Sequence, residues 1–216
     1  KKLDYQVNEY ARGLKSNRSR TIGVVIPELS NLFVTQIVTV MEDALRKRSY
    51  SVIICDCHTD EKLECDAIKF LIGKRVDGII NMPVCKDGHH LRPAMEQKIP
   101  TLLIDRTIPE LENYADSVLI DNSAAARSAT SYLLEKGHRK IGIIVGPKGV
   151  FTSEQRLAGY TDALKSYDVP YNENLVINSD YTLHGGYISM RAMLKNSPNI
   201  TAIFVTNYEM TLGAVI

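Results

Sequence analysis

Apolar and polar positions follow two periods that take turns along the chain, and the alternation begins at Thr21. Thr21 to Ile26 is a short run rich in β-branched residues, the pattern of a strand covered on both faces. Pro27 ends it. Ser30 and Asn31 are both good helix N-caps. Beyond them the spacing turns helical, with Phe33, Ile37, Val40, Met41, Ala44 and Leu45 on one predicted face. The unit then repeats. Ser51 to Asp56 predicts a strand, Glu61 to Ile72 a helix with Leu63, Ala67, Ile68, Leu71 and Ile72 inward, and Gly78 to Met82 a third strand. Pro93 to Gln97 reads as a short helix, Thr101 to Asp105 as a strand, and Ser117 to Ile120 as another. Asn122 caps a helix to Lys136 that Gly137 terminates. Strands at 141–145, 176–178 and 202–206 then alternate with helices at 153–167, 184–195 and from 208 onward.

Strands alternating with helices of this length specify βαβ units and parallel sheets. The expected fold class is α/β, with two doubly wound parallel-sheet lobes facing each other across a cleft. The crossing falls near Asp121, giving an N-terminal lobe at 21–120, a C-terminal lobe at 121–216 and a separate leading segment at 1–20.

Charge changes that picture at one end only. The 216 residues carry a formal charge of +1, but residues 1–20 hold six of the 26 Lys and Arg and two of the 25 Asp and Glu. The leading segment is therefore +4 and the remainder −3. In it, Asn8 is placed to cap a two-turn helix from Glu9 to Lys15, and Ser16 to Arg20 reads as a polar linker. No run reaches the roughly 18 apolar residues of a membrane span, and no signal-peptide core opens the chain. Four cysteines, at 55, 57, 65 and 85, do not make a disulfide framework in a chain this long. A reducing, cytoplasmic setting without a membrane partner is the expectation.

Candidate chemistry narrows further. Cys55, Cys57, His58 and Cys65 lack the paired spacings of a structural zinc site and read as core residues, so no metal or other cofactor is expected. His89 and His90, adjacent in a loop, read as solvated. Gly146 and Gly149 follow a strand and precede a helix, but neither the dinucleotide fingerprint nor the P-loop lysine is present. No nucleophilic triad or carboxylate pair stands out, so an enzyme is not expected. Asp105, at a strand end, suits either a catalytic acid or an acceptor for ligand hydroxyls. Ser30, Asp105, Thr152, Arg156 and Asn207 all fall at carboxyl ends of strands or in the first turns after them, where open parallel sheets bind small ligands. A carboxylate, an amide and an arginine, with Tyr181 or Phe33 to cover an apolar ring face, suit a sugar.

The order YQVNEYARGLKSNRSRTIGVVIPELSNLF, RVDGII, IPTLLIDR, VLIDN, EKGHRKIGII, RLAGY and AIFVTNYEMTLGAV closely resembles the bacterial LacI family, and the resemblance runs nearly end to end. It implies a cytoplasmic transcription regulator, a repressor, whose operator affinity is controlled by a small carbohydrate-like effector and whose core dimerises. It further implies that a helix-turn-helix lies upstream of Lys1, and that the core continues beyond Ile216, making the fold C-terminally incomplete. By the same resemblance Leu3 to Tyr5 matches the end of the DNA-binding domain and Glu9 to Lys15 a hinge helix, with Leu14 as the minor-groove wedge and Arg12 and Lys15 near groove or phosphates. Leu32 and Phe33 match the loop covering the effector, Asp105 the carboxylate for sugar hydroxyls, Thr152 and Arg156 the ligand anchors, Tyr181 a stacking aromatic, and Asn207 the residue before the final helix. Two positions depart from the family's pattern: Val7, where a proline is common, and Tyr208, where an aspartate often stands. The other reading of the core is an extracytoplasmic sugar-binding protein of a transport system. It would use the same cleft.

Overall fold

The computed structural model of the protein describes residues 18–216. The readings made for 1–17, including the hinge helix and the candidate DNA contacts Arg12, Leu14 and Lys15, lie outside the described residues. The chain divides into two compact units between Leu119 and Ile120.

The first unit is a five-stranded parallel sheet. It comprises β1 (Thr21–Ile26), β2 (Ser51–Asp56), β3 (Gly78–Asn81), β4 (Thr101–Ile104) and β5 (Asp116–Val118), in the spatial order β2-β1-β3-β4-β5. Three helices connect them: α1 (Leu32–Arg46), α2 (Glu61–Gly73) and the short α3 (Arg92–Glu96). The two-residue period of a strand sends alternate β1 side chains to opposite faces. Val24 and Ile26 pack with Val34 and Val38 of α1, while Val25 packs with Ile68 and Leu71 of α2. Leu71 also lies over Gly23, where any Cβ would meet it.

Two helix faces differ from expectation. On α1 the buried strip is Val34 and Val38, with Ile37 and Met41 beside it, while Phe33 and Val40 are 40% and 69% exposed. The 34–38 strip is the one that meets Val24, Ile26, Met82 and Ile104, so a second apolar strip on the same helix stays in solvent. On α2, Leu63 is 43% exposed and Glu64 is fully buried, because the inward row runs 64, 68, 71.

The start of the sheet holds residues 19 and 20 in place. The Asp77 carboxylate accepts the Ser19 backbone N–H at 2.7 Å and its hydroxyl at 3.0 Å on Oδ1, and the Arg20 N–H at 3.1 Å on Oδ2.

The second unit is a three-stranded parallel sheet of β6 (Ile141–Val145), β7 (Val176–Asn178) and β8 (Ala202–Val205), with β6 in the centre. Its helices are α4 (Asn122–Glu135), α5 (Phe151–Ser166), α6 (Leu183–Asn196) and α7 (Tyr208–Val215). Here too the centre strand splits its side chains. Ile141, Ile143 and Val145 face Leu134, Tyr160, Ala163 and Leu164, and Ile144 faces Met193 and Met210. Asp121, one residue before the expected Asn122, caps α4 by accepting the Ala124 N–H, and this leaves Asn122 buried for another use. Gly137, at φ 90°, ends the turn after α4 as expected.

Candidate functional site

In each unit the polar candidates collect where strands end and helices begin. In the first unit, Asn31 caps α1 by accepting the Val34 N–H at 3.2 Å, and Leu32 and Phe33 follow it as exposed apolar side chains on the first turn. Asp56, ending β2, accepts the Leu29 N–H at 2.9 Å and the His58 N–H at 3.0 Å, tying the loops after β1 and β2 together. Asp105 falls one residue beyond β4 rather than within the strand. Its backbone is left-handed, φ 68°, a conformation an aspartate tolerates better than most residues, and its N–H donates to the Val118 carbonyl at 3.0 Å. The turn brings its carboxylate within 3.6 Å of the Arg106 guanidinium, which itself donates to the Pro83 carbonyl at 3.1 Å.

The second unit gathers more. The Arg156 guanidinium, on the second turn of α5, donates through Nε to the Asn122 side chain at 2.8 Å and through Nη1 to the Thr206 carbonyl at 2.9 Å. It thereby links the starts of α4 and α5 to the end of β8. Thr152 is in α5 rather than in the loop before it, buried, and its hydroxyl meets the Tyr181 hydroxyl at 3.2 Å. Tyr181, also left-handed at φ 64°, lays its ring against Gly146. The Gly146 carbonyl accepts from Asn178 at 2.9 Å. Asn207 caps α7 by accepting the Met210 N–H at 2.8 Å, and its amide donates to Glu209. Buried hydroxyls of Ser179 and Thr206 have no hydrogen-bond partner. Asn122, read from the sequence only as a cap, and Asn178, Ser179 and Thr206 were not among the expected site residues. Their signal was available, since each stands at a strand end or helix start.

A groove of about 540 Å³ opens at the other end of the first sheet, lined in part by Asp77, Pro100, Glu112 and Asp116. It holds none of the predicted residues. Ligands of parallel sheets sit outside the carboxyl ends of strands, so we assign the candidate site there rather than to this groove.

The first unit also contains a buried polar cluster that sequence spacing did not reveal. Glu64 Oε1 accepts from the Asn81 amide at 2.8 Å and lies 3.1 Å from His90 Nε2, and Oε2 accepts the N–H groups of Val84 at 2.9 Å and Cys85 at 2.6 Å. Burial alone would raise this carboxyl. Hydrogen bonds from His90 and Asn81, the His90 charge and the Cys85 N–H outweigh it and hold the carboxyl down to about 2. Burial and the Glu64 carboxylate push the Cys85 thiol up. His90, expected in solvent, is buried because Glu64 supplies a partner for its ring. The sequence-adjacent Cys55, Cys57, His58 and Cys65 do not gather. Among the described residues, the groups close enough to share a metal ion are Glu64, Cys85 and His90, and Asp87, His89 and His90.

Parallel α/β units with polar residues collected at the carboxyl ends of their strands define a class of small-ligand-binding protein. Its family follows from comparison. Residues 19–216 match the profile of the periplasmic binding proteins and sugar binding domain of the LacI family, and the chain belongs to that family. It is similar to RegA, an HTH-type transcriptional regulator of Clostridium acetobutylicum, at 38% identity over 100% of this chain and 65% of the relative. It is similar to catabolite control protein A of Priestia megaterium at 30% identity over 99% of this chain and 64% of the relative. The chain thus spans just under two thirds of the length of these curated relatives. Among solved structures, the complex of the transcriptional regulator CelR with cellobiose matches with a TM-score of 0.82 and 27% identity, over 98% of this chain and 69% of that one. The expected fold class, two-lobed parallel α/β of the periplasmic-binding-protein type, is borne out.

Proposed function

We propose that this chain is the effector-binding core of a DNA-binding transcriptional repressor whose operator affinity is set by a small sugar or sugar derivative. The observation that carries the reading is that relatives named as transcriptional regulators or repressors align along 98–100% of the chain, the basic leading segment included in the match that spans all of it. The effector is held by Leu32, Phe33 and Asp105 from the first unit and by Thr152, Arg156, Tyr181 and Asn207 from the second. Asp105 and Asn207 serve sugar hydroxyls, Arg156 supplies paired donors, and the Tyr181 ring covers an apolar face. Support for a carbohydrate comes from this mix of side chains and from the cellobiose bound by the CelR relative.

In the same reading, residues 1–20 are the end of a DNA-binding domain, a hinge helix and a linker. Leu14 wedges a base step from the minor groove, while Arg12 and Lys15 meet groove or phosphates. A helix-turn-helix domain outside the 216 residues reads the operator. The protein is a cytoplasmic homodimer on a near-palindromic site. The reading assigns it no catalytic step and no membrane partner. Among the described residues no helix is long and apolar enough to cross a membrane. Effector control requires the sugar to bind the DNA-competent and DNA-incompetent arrangements with different affinity.

The test uses the natural full-length protein. A panel of mono- and disaccharides and their phosphates is screened by thermal shift, since a ligand at about 100 times its Kd stabilises by roughly 2.7 kcal/mol. Hits are then added to the protein on DNA from its own upstream region. A sugar that both raises Tm and changes DNA affinity supports the reading, and binding of sugar without any DNA binding turns it into that of a transport receptor.

A further inference from the structure

A role for Glu64 as a loop anchor would account for its carboxylate, but it leaves two neighbouring atoms unexplained. His90 Nδ1 and Asn81 Oδ1 are buried without a hydrogen-bond partner, which costs stability. Both residues are at least nine-tenths buried and touch Glu64. A network kept only to hold the loop after β3 has no reason to surround one carboxylate with a thiol, an imidazole and an amide while orphaning two polar atoms.

We propose that Glu64, Cys85 and His90 form a binding site for a divalent transition-metal ion of the zinc type. One ligand atom from each lies within 4.8 Å of the others, close enough to be drawn onto a shared ion. The donor set is one oxygen, one sulfur and one nitrogen. That mixture suits zinc rather than magnesium or calcium, which take oxygen alone. Charge agrees with the assignment: a Glu64 carboxylate and a Cys85 thiolate carry two negative charges, which a divalent ion cancels in an interior where unpaired charge is costly. The Asn81 amide and the backbone N–H groups of Val84 and Cys85 already orient the carboxylate, as outer partners of metal sites do.

Further ligand groups lie beside the triad. The Cys65 thiol lies 3.9 Å from His89 Nε2. Asp87 and His89 are exposed and paired with each other, and His90 belongs to their group as well as to the buried one. Ligand groups therefore run from the surface to the buried triad without a break. A bound ion would tie α2 to the loop between β3 and α3, whose Pro83 carbonyl already holds Arg106 beside Asp105.

The test is zinc binding by the reduced full-length protein, measured by competition with a chromophoric chelator, with cobalt as an optical probe. One zinc per chain and a thiolate-to-cobalt absorption band are expected. Asn81→Ala should weaken zinc about 10- to 100-fold, the usual effect of removing an outer partner. Cys85→Ser and His90→Ala should weaken it further, and Cys55→Ser should change nothing. The wild-type zinc count and cobalt spectrum do not depend on any variant folding. Absence of retained zinc or a cobalt spectrum without the thiolate band overturns the proposal, as does equal binding by His90→Ala.

Discussion

Tyr181 lies so close over Gly146 that a Cβ added at the glycine would overlap its ring. The contact fixes where an aromatic face is presented at the end of β6, and the hydroxyl pairing with Thr152 fixes its other end. Gly146→Ala should therefore displace Tyr181, destabilise by about 1–3 kcal/mol as overpacking does, and weaken the sugar identified by thermal shift. Tyr181→Phe, which keeps the ring and removes the hydroxyl, should retain most sugar affinity. Isothermal titration of the two variants separates position from hydrogen bonding.

Arg156 is committed to its own unit before any ligand arrives. Its bonds to Asn122 and the Thr206 carbonyl join three elements, so Arg156→Ala should lose the effector response and also about 1–3 kcal/mol of stability, measured by urea unfolding. Arg156→Lys should not restore the response, because an ammonium cannot reproduce the planar fork. Asp105→Ala should abolish the response while operator binding survives. Loss of both functions together would mean misfolding.

Asn207 has two tasks that a substitution can divide. Its side-chain oxygen caps α7, and its amide nitrogen points to Glu209. Asn207→Ala should cost about 1 kcal/mol of stability, the usual value of a cap. Asn207→Ser keeps a capping oxygen and should be close to wild type in urea, while its sugar affinity falls as far as that of Asn207→Ala.

Tyr160 predicts an alkaline limb. It is buried, its hydroxyl donates to the Ile141 carbonyl at 2.8 Å, and burial pushes its phenol from the ordinary 10 up to about 12. A raised acid of this kind favours the folded state with its proton on. The contribution is complete below pH 10 and is lost as pH rises through 12, by about 1.4 kcal/mol per unit. Tyr160→Phe should lose about 1 kcal/mol at neutral pH and show a flatter decline above pH 10.

How much of this was legible depended on whether the cause was local. The β1 run, the Asn31 cap and the Gly137 stop were readable because each is decided by a few neighbouring residues. The choice of buried face on α1 was not, since two apolar strips share that helix and only the partners on β1, β3 and β4 select between them. Glu64 was hidden for the opposite reason. A carboxylate reads as surface until Asn81, Val84, Cys85 and His90, up to 26 residues away, are folded around it. At the strand ends the residue types were visible, but the bond from Arg156 to Asn122, 34 positions apart, was not.

The Asp77 carboxylate gives Ser19 and Arg20 a fixed seat. Three hydrogen bonds fasten them to the residue just before β3, and the next residue, Thr21, is already strand. Residues 19 and 20 are thus carried by the starts of two neighbouring strands at once, and Asp77→Ala would turn that seat into a loose joint.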